Sequence, residues 1–404
     1  MRRLLAVLAA GALCVVALCV YVVSWPSVET YENGFTEKPF YPYATYAISK
    51  SPLAIQTMIE SREADGDAVK LLMGSSELSI IDPMQSHPYR FFNSNDYAID
   101  TISVGNAGYQ SLYHTLEIGA LDELDSVPNR KVVLIVSIQW FFGGGCSPVS
   151  FQSSFSWEAY KLAMANEKIS PETRAAIMDR VAGYGVSTSD LRAAIGTGNP
   201  LEYLNYQIET FLQEGSRRAD LVDSLKYCES RDQAKVGDAS GTPDWSALIE
   251  FELEEAQECC TNNDWGIYDE YWNDRVAPWL EAYNPDDYAP YYDWDNAELD
   301  DFKLFLRVCD EMGVEPLILL APVKGQYYDL CGYPSDSRQA YSDLLHSTCD
   351  EFGVKCIDYF DHDYDRYFLR DIMHLGWIGW LYVNHDIMNF YLDGDVGDLP
   401  QREY

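Results

Sequence analysis

Basic residues are scarce in this chain. Lysine and arginine number 28 against 64 aspartates and glutamates, a formal net charge of −36. Such a surface repels a phosphate backbone, so nucleic acid is excluded as a partner. It also disfavours lying flat on an anionic membrane. A cationic group on a substrate would be attracted, although the plainer consequence of acidity is a soluble surface. Histidine is sparse too, with six copies. No C-x-x-C pair occurs and the histidines do not cluster with cysteines, which argues against structural zinc. No cofactor is expected, and no repeat of fixed period runs along the chain.

One apolar run is present at the start, Leu4 to Trp25 (LLAVLAAGALCVVALCVYVVSW). As a helix it would span roughly 30 Å of hydrocarbon. Arg2 and Arg3 precede it and the next basic residue is Lys38. The positive-inside rule then keeps residues 1–3 cytoplasmic and sends everything after the run outside. Tyr21 and Trp25 fall where interfacial aromatics belong. The run exceeds the ~7–15 apolar residues of a signal peptide, and no small-x-small cleavage site follows it. Cys14 and Cys19 are each preceded by leucine, unlike a lipidation site. The expectation is an uncleaved single-pass anchor holding an extracellular domain at the cell membrane.

The rest reads as globular, with 47% hydrophobic and 14% aromatic residues overall. Outside the anchor stand Cys146, Cys228, Cys259, Cys260, Cys309, Cys331, Cys349 and Cys356, an even set that permits disulfides without choosing the pairs. After a stalk over 26–46, helical spacing covers Ala47 to Arg62. Short apolar runs then recur at Val69–Met73, Ala98–Val104, Lys131–Ser137, Pro316–Ala321 and Val354–Asp358. Runs rich in Val, Ile and Leu suit strands buried on both faces of a parallel sheet. Helical patterns separate them at Ser111–Leu124, Glu298–Glu311 and Ser337–Phe352, the last closed by Gly353 as a C-terminal cap. This alternation predicts a doubly wound, mostly parallel α/β/α domain over 47–149 and 297–395. A largely helical insertion over 150–296 and a polar, fraying tail over 396–404 complete the chain.

Three places could carry chemistry. Gly74-Ser75-Ser76-Glu77-Leu78 follows the first strand, where a serine would be exposed near helix N–H groups able to hold an oxyanion. Asp371-Ile372-Met373-His374 offers a base with near-neutral pKa and an acid to orient it. Val104-Gly105-Asn106-Ala107-Gly108 and Ser137-Ile138-Gln139-Trp140 follow the second and third strands and could supply oxyanion donors. Taken singly, each has a plain structural reading: a serine N-cap, an ordinary histidine, a tight turn, a strand end. Together they all fall at the carboxyl edge of one predicted sheet.

These motifs, in this order, resemble the SGNH hydrolase pattern. They resemble more closely the DltD family, membrane-anchored proteins of teichoic acid D-alanylation. The resemblance runs end to end through the anchor, G-S-S-E-L at 74–78, G-N-A-G-Y-Q-S at 105–111, S-I-Q-W-F at 137–141, A-P-V-K-G-Q-Y-Y at 321–328 and D-I-M-H-L-G-W at 371–377. Ser75 stands where SGNH enzymes usually carry Asp, and Gln139 where they carry Asn. The insertion carries little recognisable signal, and the cysteines and strong acidity are not family features. The resemblance implies serine-dependent acyl transfer, with Ser76 as nucleophile, His374 as base and Asp371 as orienting acid. The Ser76 N–H, the Gly108 N–H and the Gln139 side chain would form the oxyanion hole. It further implies a D-alanyl donor, a teichoic acid polymer as acceptor and a membrane O-acyltransferase as partner. Two other functions fit the same motifs: an O-acyl esterase or acyltransferase on a surface polysaccharide, and a non-catalytic scaffold binding a D-alanylation partner.

Overall fold

The protein's computed structural model describes residues 2–27, 30, 40–42, 45–64, 66, 68–94, 97–224, 228–230, 241–393 and 396–400, without side chains at 2–8, 40–42, 93–94 and 228–230. Helix α1 covers Arg2–Val23. Among the described residues no helix is long and apolar enough to cross a membrane. The side chains of α1 are described only from residue 9 on, so the expected anchor rests on the sequence.

Five strands form one parallel sheet: β1 (Val69–Met73), β2 (Asp100–Val104), β3 (Lys131–Ser137), β4 (Glu315–Ala321) and β5 (Lys355–Asp358). Their order is β2-β1-β3-β4-β5. Paired positions include Val69 with Asp100, Leu72 with Val133, Lys131 with Glu315 and Leu317 with Lys355. This doubly wound order has its switch point between β1 and β3, where the chain leaves the sheet in opposite directions and opens a crevice at the carboxyl edge.

The continuous apolar runs are explained by burial on both faces. In β3, Val132, Leu134 and Val136 enter one core while Val133 and Ile135 enter the other. The first core is closed by α2 (Pro52–Ala64), α3 (Ser111–Glu123), α4 (Trp157–Ala165), α7 (Ala297–Met312) and α8 (Ser335–Phe352). The second is closed by α6 (Trp245–Cys259) and α9 (Trp377–Leu392), with Trp377 and Trp380 wholly buried. Gly353 is left-handed (φ 67°, ψ 27°), and Val354 N–H donates to the Cys349 carbonyl, the expected glycine cap.

Some expectations differ in detail. The helix expected over Ala47–Arg62 is broken into Tyr46–Ser49 and α2. Pro52 is the cause: it lacks an N–H and disfavours helical backbone at Ser51 before it. The described residues between β3 and β4 are largely helical and include the 25-residue α5 (Pro200–Ser224). They also include a short strand, Cys228–Ser230, paired antiparallel with Phe40–Pro42 of the expected stalk. At the start of the tail, Val396 is buried and its carbonyl accepts from Trp245 Nε1 at 2.8 Å. The described cysteines are free thiols, and Cys228 lies outside the described side chains.

Candidate functional site

The carboxyl edge of β1 is tightly built. Gly74 continues the ladder by donating to the Val104 carbonyl, and Ser76 opens a one-turn 3-10 helix, Ser76–Ser79. As the first residue of that turn, Ser76 presents an N–H that the helix leaves unused. Glu77 folds back over the turn: Ser75 donates to it twice, N–H to Oε1 at 2.6 Å and Oγ–H to Oε2 at 2.7 Å. Trp140 Nε1 donates to Ser75 Oγ at 3.2 Å, and His87 Nε2 donates to the Glu77 carbonyl at 3.0 Å. Burial pushes His87 down to about 3, so the ring is neutral and its Nδ1 accepts from Tyr89 N–H. A side chain at Gly74 would meet Glu77 Oε1 at 2.3 Å, which explains glycine there. Ser75 thus faces inward and Ser76 outward.

Asp371 and His374 come from the other end of the chain. Their loop is pinched by a bridge between Leu369 and Leu375, and Lys324 N–H, after β4, donates to the Ile372 carbonyl. Asp371 Oδ1 accepts from the Met373 and His374 N–H groups, both at 2.9 Å. Its Oδ2 pairs with His374 Nδ1 at 2.8 Å, and His374 Nε2 lies 2.8 Å from Ser76 Oγ. Residues 298 apart in sequence are thereby joined in one hydrogen-bonded chain.

The electrostatics follow from burial and pairing. Burial alone would push the His374 pKa down, but the Asp371 charge and hydrogen bond, with Glu77 behind, outweigh it and the net shift is upward. Burial would raise Asp371, yet His374 and the two N–H donors hold it below the usual carboxylate value. Glu77 is pushed up by burial, against the pull of its Ser75 hydrogen bonds. Such opposed shifts in touching groups are characteristic of reactive sites, and structural ion pairs also produce them.

The remaining expected residues lie along the same edge. Gly105 has φ +134°, and a Cβ there would fall 1.9 Å from the Gly74 carbonyl oxygen, so glycine lets the ends of β1 and β2 meet. Gly108 has φ +81° and open space where a side chain would be. Gln139 stands on the turn after β3, and its Nε2 donates to Tyr328 Oη at 3.1 Å. One amide hydrogen remains uncommitted by that bond. Neither Gly108 nor Gln139 has a hydrogen bond to the Ser76–His374–Asp371 chain. Sequence reading gave these neighbours no role: Glu77, Trp140 and Tyr328 stand inside the quoted motifs without one, and His87 lies in none of them.

Fold and site together define a class: doubly wound α/β proteins with a serine, a histidine and an aspartate linked at the carboxyl edge of the parallel sheet. Within that class the chain belongs to the DltD family, whose profile, described as DltD protein, matches residues 47–392. Protein DltD of Bacillus subtilis is 28% identical over 339 residues, covering 80% of this chain and 83% of that protein. Protein DltD of Staphylococcus aureus is 24% identical over 333 residues, 82% and 83% of the two chains. Protein DltD of Lacticaseibacillus rhamnosus is 23% identical over 341 residues, 79% and 76%.

Proposed function

We propose that this chain is a serine acyl-transfer protein of the teichoic acid D-alanylation pathway, held outside the cytoplasm by its N-terminal helix. The observation that carries the reading is the pair of 2.8 Å contacts linking Ser76 Oγ, His374 and Asp371. In this reading His374 Nε2 takes the Ser76 proton as Oγ attacks the carbonyl of a D-alanyl donor. The oxyanion is received by the Ser76 N–H, the Gly108 N–H and the Gln139 amide. His374 then returns the proton to the leaving group. A hydroxyl of the polymer, or water in the releasing direction, repeats the cycle on the acyl-serine. The acidic field favours the ammonium of a D-alanyl ester, while screening within about 8 Å limits its repulsion of polymer phosphates. A membrane O-acyltransferase is the proposed supplier of the acyl group.

The anchor reading is supported by the apolar run and its flanking arginines, and by α1 exposing Leu13, Val15, Val16 and Val20, side chains that water disfavours.

The experiment is labelling of the full chain in detergent micelles with a fluorophosphonate, which reacts only with activated serines, followed by turnover of a D-alanyl ester. Label and turnover are expected to be lost in Ser76→Ala and His374→Ala, while Ser75→Ala keeps the label. Full turnover in the Ser76→Ala protein would end the acyl-transfer reading. Acetate release from an acetylated glycan, without D-alanine release, would move the same serine to polysaccharide chemistry.

A further inference from the structure

Helix α5 carries an apolar stripe on its wrong side. Leu201, Leu204, Ile208, Phe211 and Leu212 are 38% to 66% exposed. At about 100° per residue they share one arc of roughly 100°. Of its buried residues, Tyr206, Leu221 and Ser224 lie on the opposite face, and Gly215 lies on the stripe's own face beneath Trp25. The opposite face is docked: the Tyr206 ring sits 5.3 Å from Trp157 of α4, and Arg217 pairs with Glu158. The stripe is therefore not a misplaced core. Contiguous apolar surface of this kind marks a contact site.

Its C-terminal end is already covered, and by the end of α1. Tyr21 Oη donates to the Leu212 carbonyl at 2.6 Å, and the Trp25 ring lies tilted against Phe211, with centroids 5.0 Å apart. Trp25 fills the seat left by Gly215, where a Cβ would come within 2.2 Å of Nε1, and Arg218 lies over the same ring. Across this contact the two segments run the same way: Tyr21 meets Leu212, Trp25 spans Phe211 to Arg218, and Pro26 accepts from Arg218. The turns of α5 that precede Leu212 therefore lie on the side toward the apolar run of α1.

We propose that the exposed stripe of α5 rests in the interfacial layer of the lipid that α1 crosses, so that the domain touches the membrane at two points. This rests on the anchor reading. Tethering by α1 supplies the proximity, which matters because the chain as a whole is strongly acidic. The stripe segment Leu201–Ser216 contains no lysine or arginine. Its contact should therefore depend on apolar insertion and not on anionic headgroups, unlike basic interfacial helices.

The test is photolabelling of the full chain in lipid nanodiscs containing a phospholipid with a diazirine in its acyl chain, mapped by mass spectrometry. Label is expected on α1 and on the 201–212 segment, alike in phosphatidylcholine and in an equal mixture with phosphatidylglycerol. The Leu204→Glu, Ile208→Glu double variant should lose label on α5 and keep it on α1. Because both positions are exposed, its thermal unfolding should match wild type. Label on α1 with α5 bare in wild type overturns the proposal, leaves the anchor reading standing and hands the face to a protein partner. Absence of label from both overturns the anchor reading as well.

Discussion

Replacing Asp371 by asparagine tests the site most sharply, because the two oxygens of Asp371 have different duties. Oδ1 accepts two backbone N–H groups, and Oδ2 accepts His374 Nδ1–H. Asparagine can keep only one duty. With its oxygen on the backbone donors, its NH2 faces Nδ1 and forces the ring to protonate at Nε2, the nitrogen that must accept the Ser76 proton. With the amide flipped, the NH2 confronts two N–H donors and leaves both unsatisfied, at about 1–3 kcal/mol each. The first arrangement is favoured by about 2–6 kcal/mol, so the unproductive tautomer dominates. The expected loss in kcat is on the order of 10⁴-fold, or about 5.5 kcal/mol of barrier. The assay is the rate of fluorophosphonate labelling together with D-alanyl ester turnover, with unfolding midpoints confirming that the variant folds. Labelling of Asp371→Asn at the wild-type rate would refute the reasoning, since it would mean that Asp371 does not set the tautomer.

Three further outcomes follow from the same geometry. Activity should fall as pH drops through the His374 pKa, which lies above the ordinary 6.5, because the base must be neutral; in Asp371→Ala the residual acid limb should move to lower pH, since burial then dominates, and an unmoved limb contradicts the pairing. Glu77→Gln sets an amide NH2 against one of the two Ser75 donors, and should cut kcat/KM roughly 10- to 100-fold without abolishing folding; an unaltered kcat/KM would show that the Ser75–Glu77 clasp does not position Ser76. Gly105→Ala puts a Cβ against the Gly74 carbonyl at positive φ, and should destabilise the fold by about 3 kcal/mol or more in urea unfolding; a midpoint close to wild type would mean that β1 and β2 can part without cost.

Much of this protein is legible from local pattern. The central strands β3 and β4 are apolar on both faces, so their identity does not depend on register with a solvent face. Lys131–Ser137 needed only its own residues to declare a central strand. The Gly353 cap and the turn glycines obey backbone rules that act over a few residues. G-S-S-E-L and D-x-x-H were legible for the same reason: each is a short turn whose chemistry is local. Pro52 carries a local signal as well, and an unbroken 47–62 helix overlooked it.

What the chain by itself determined, then, is the elements, their buried faces and the residue types at the sheet edge, because steric limits and the removal of apolar surface from water act over short range. Tertiary structure alone decided the rest. It locked Ser75 to Glu77 and Trp140 and brought His374, from the far end of the chain, within 2.8 Å of Ser76. It tied the Gln139 amide to Tyr328, nearly two hundred residues away. It folded Val396 onto Trp245, and it turned the apolar stripe of α5 outward beside α1. Each of these depends on which surfaces meet after the sheet has closed, and hydrogen bonds and packing between distant segments leave no periodic trace in the sequence.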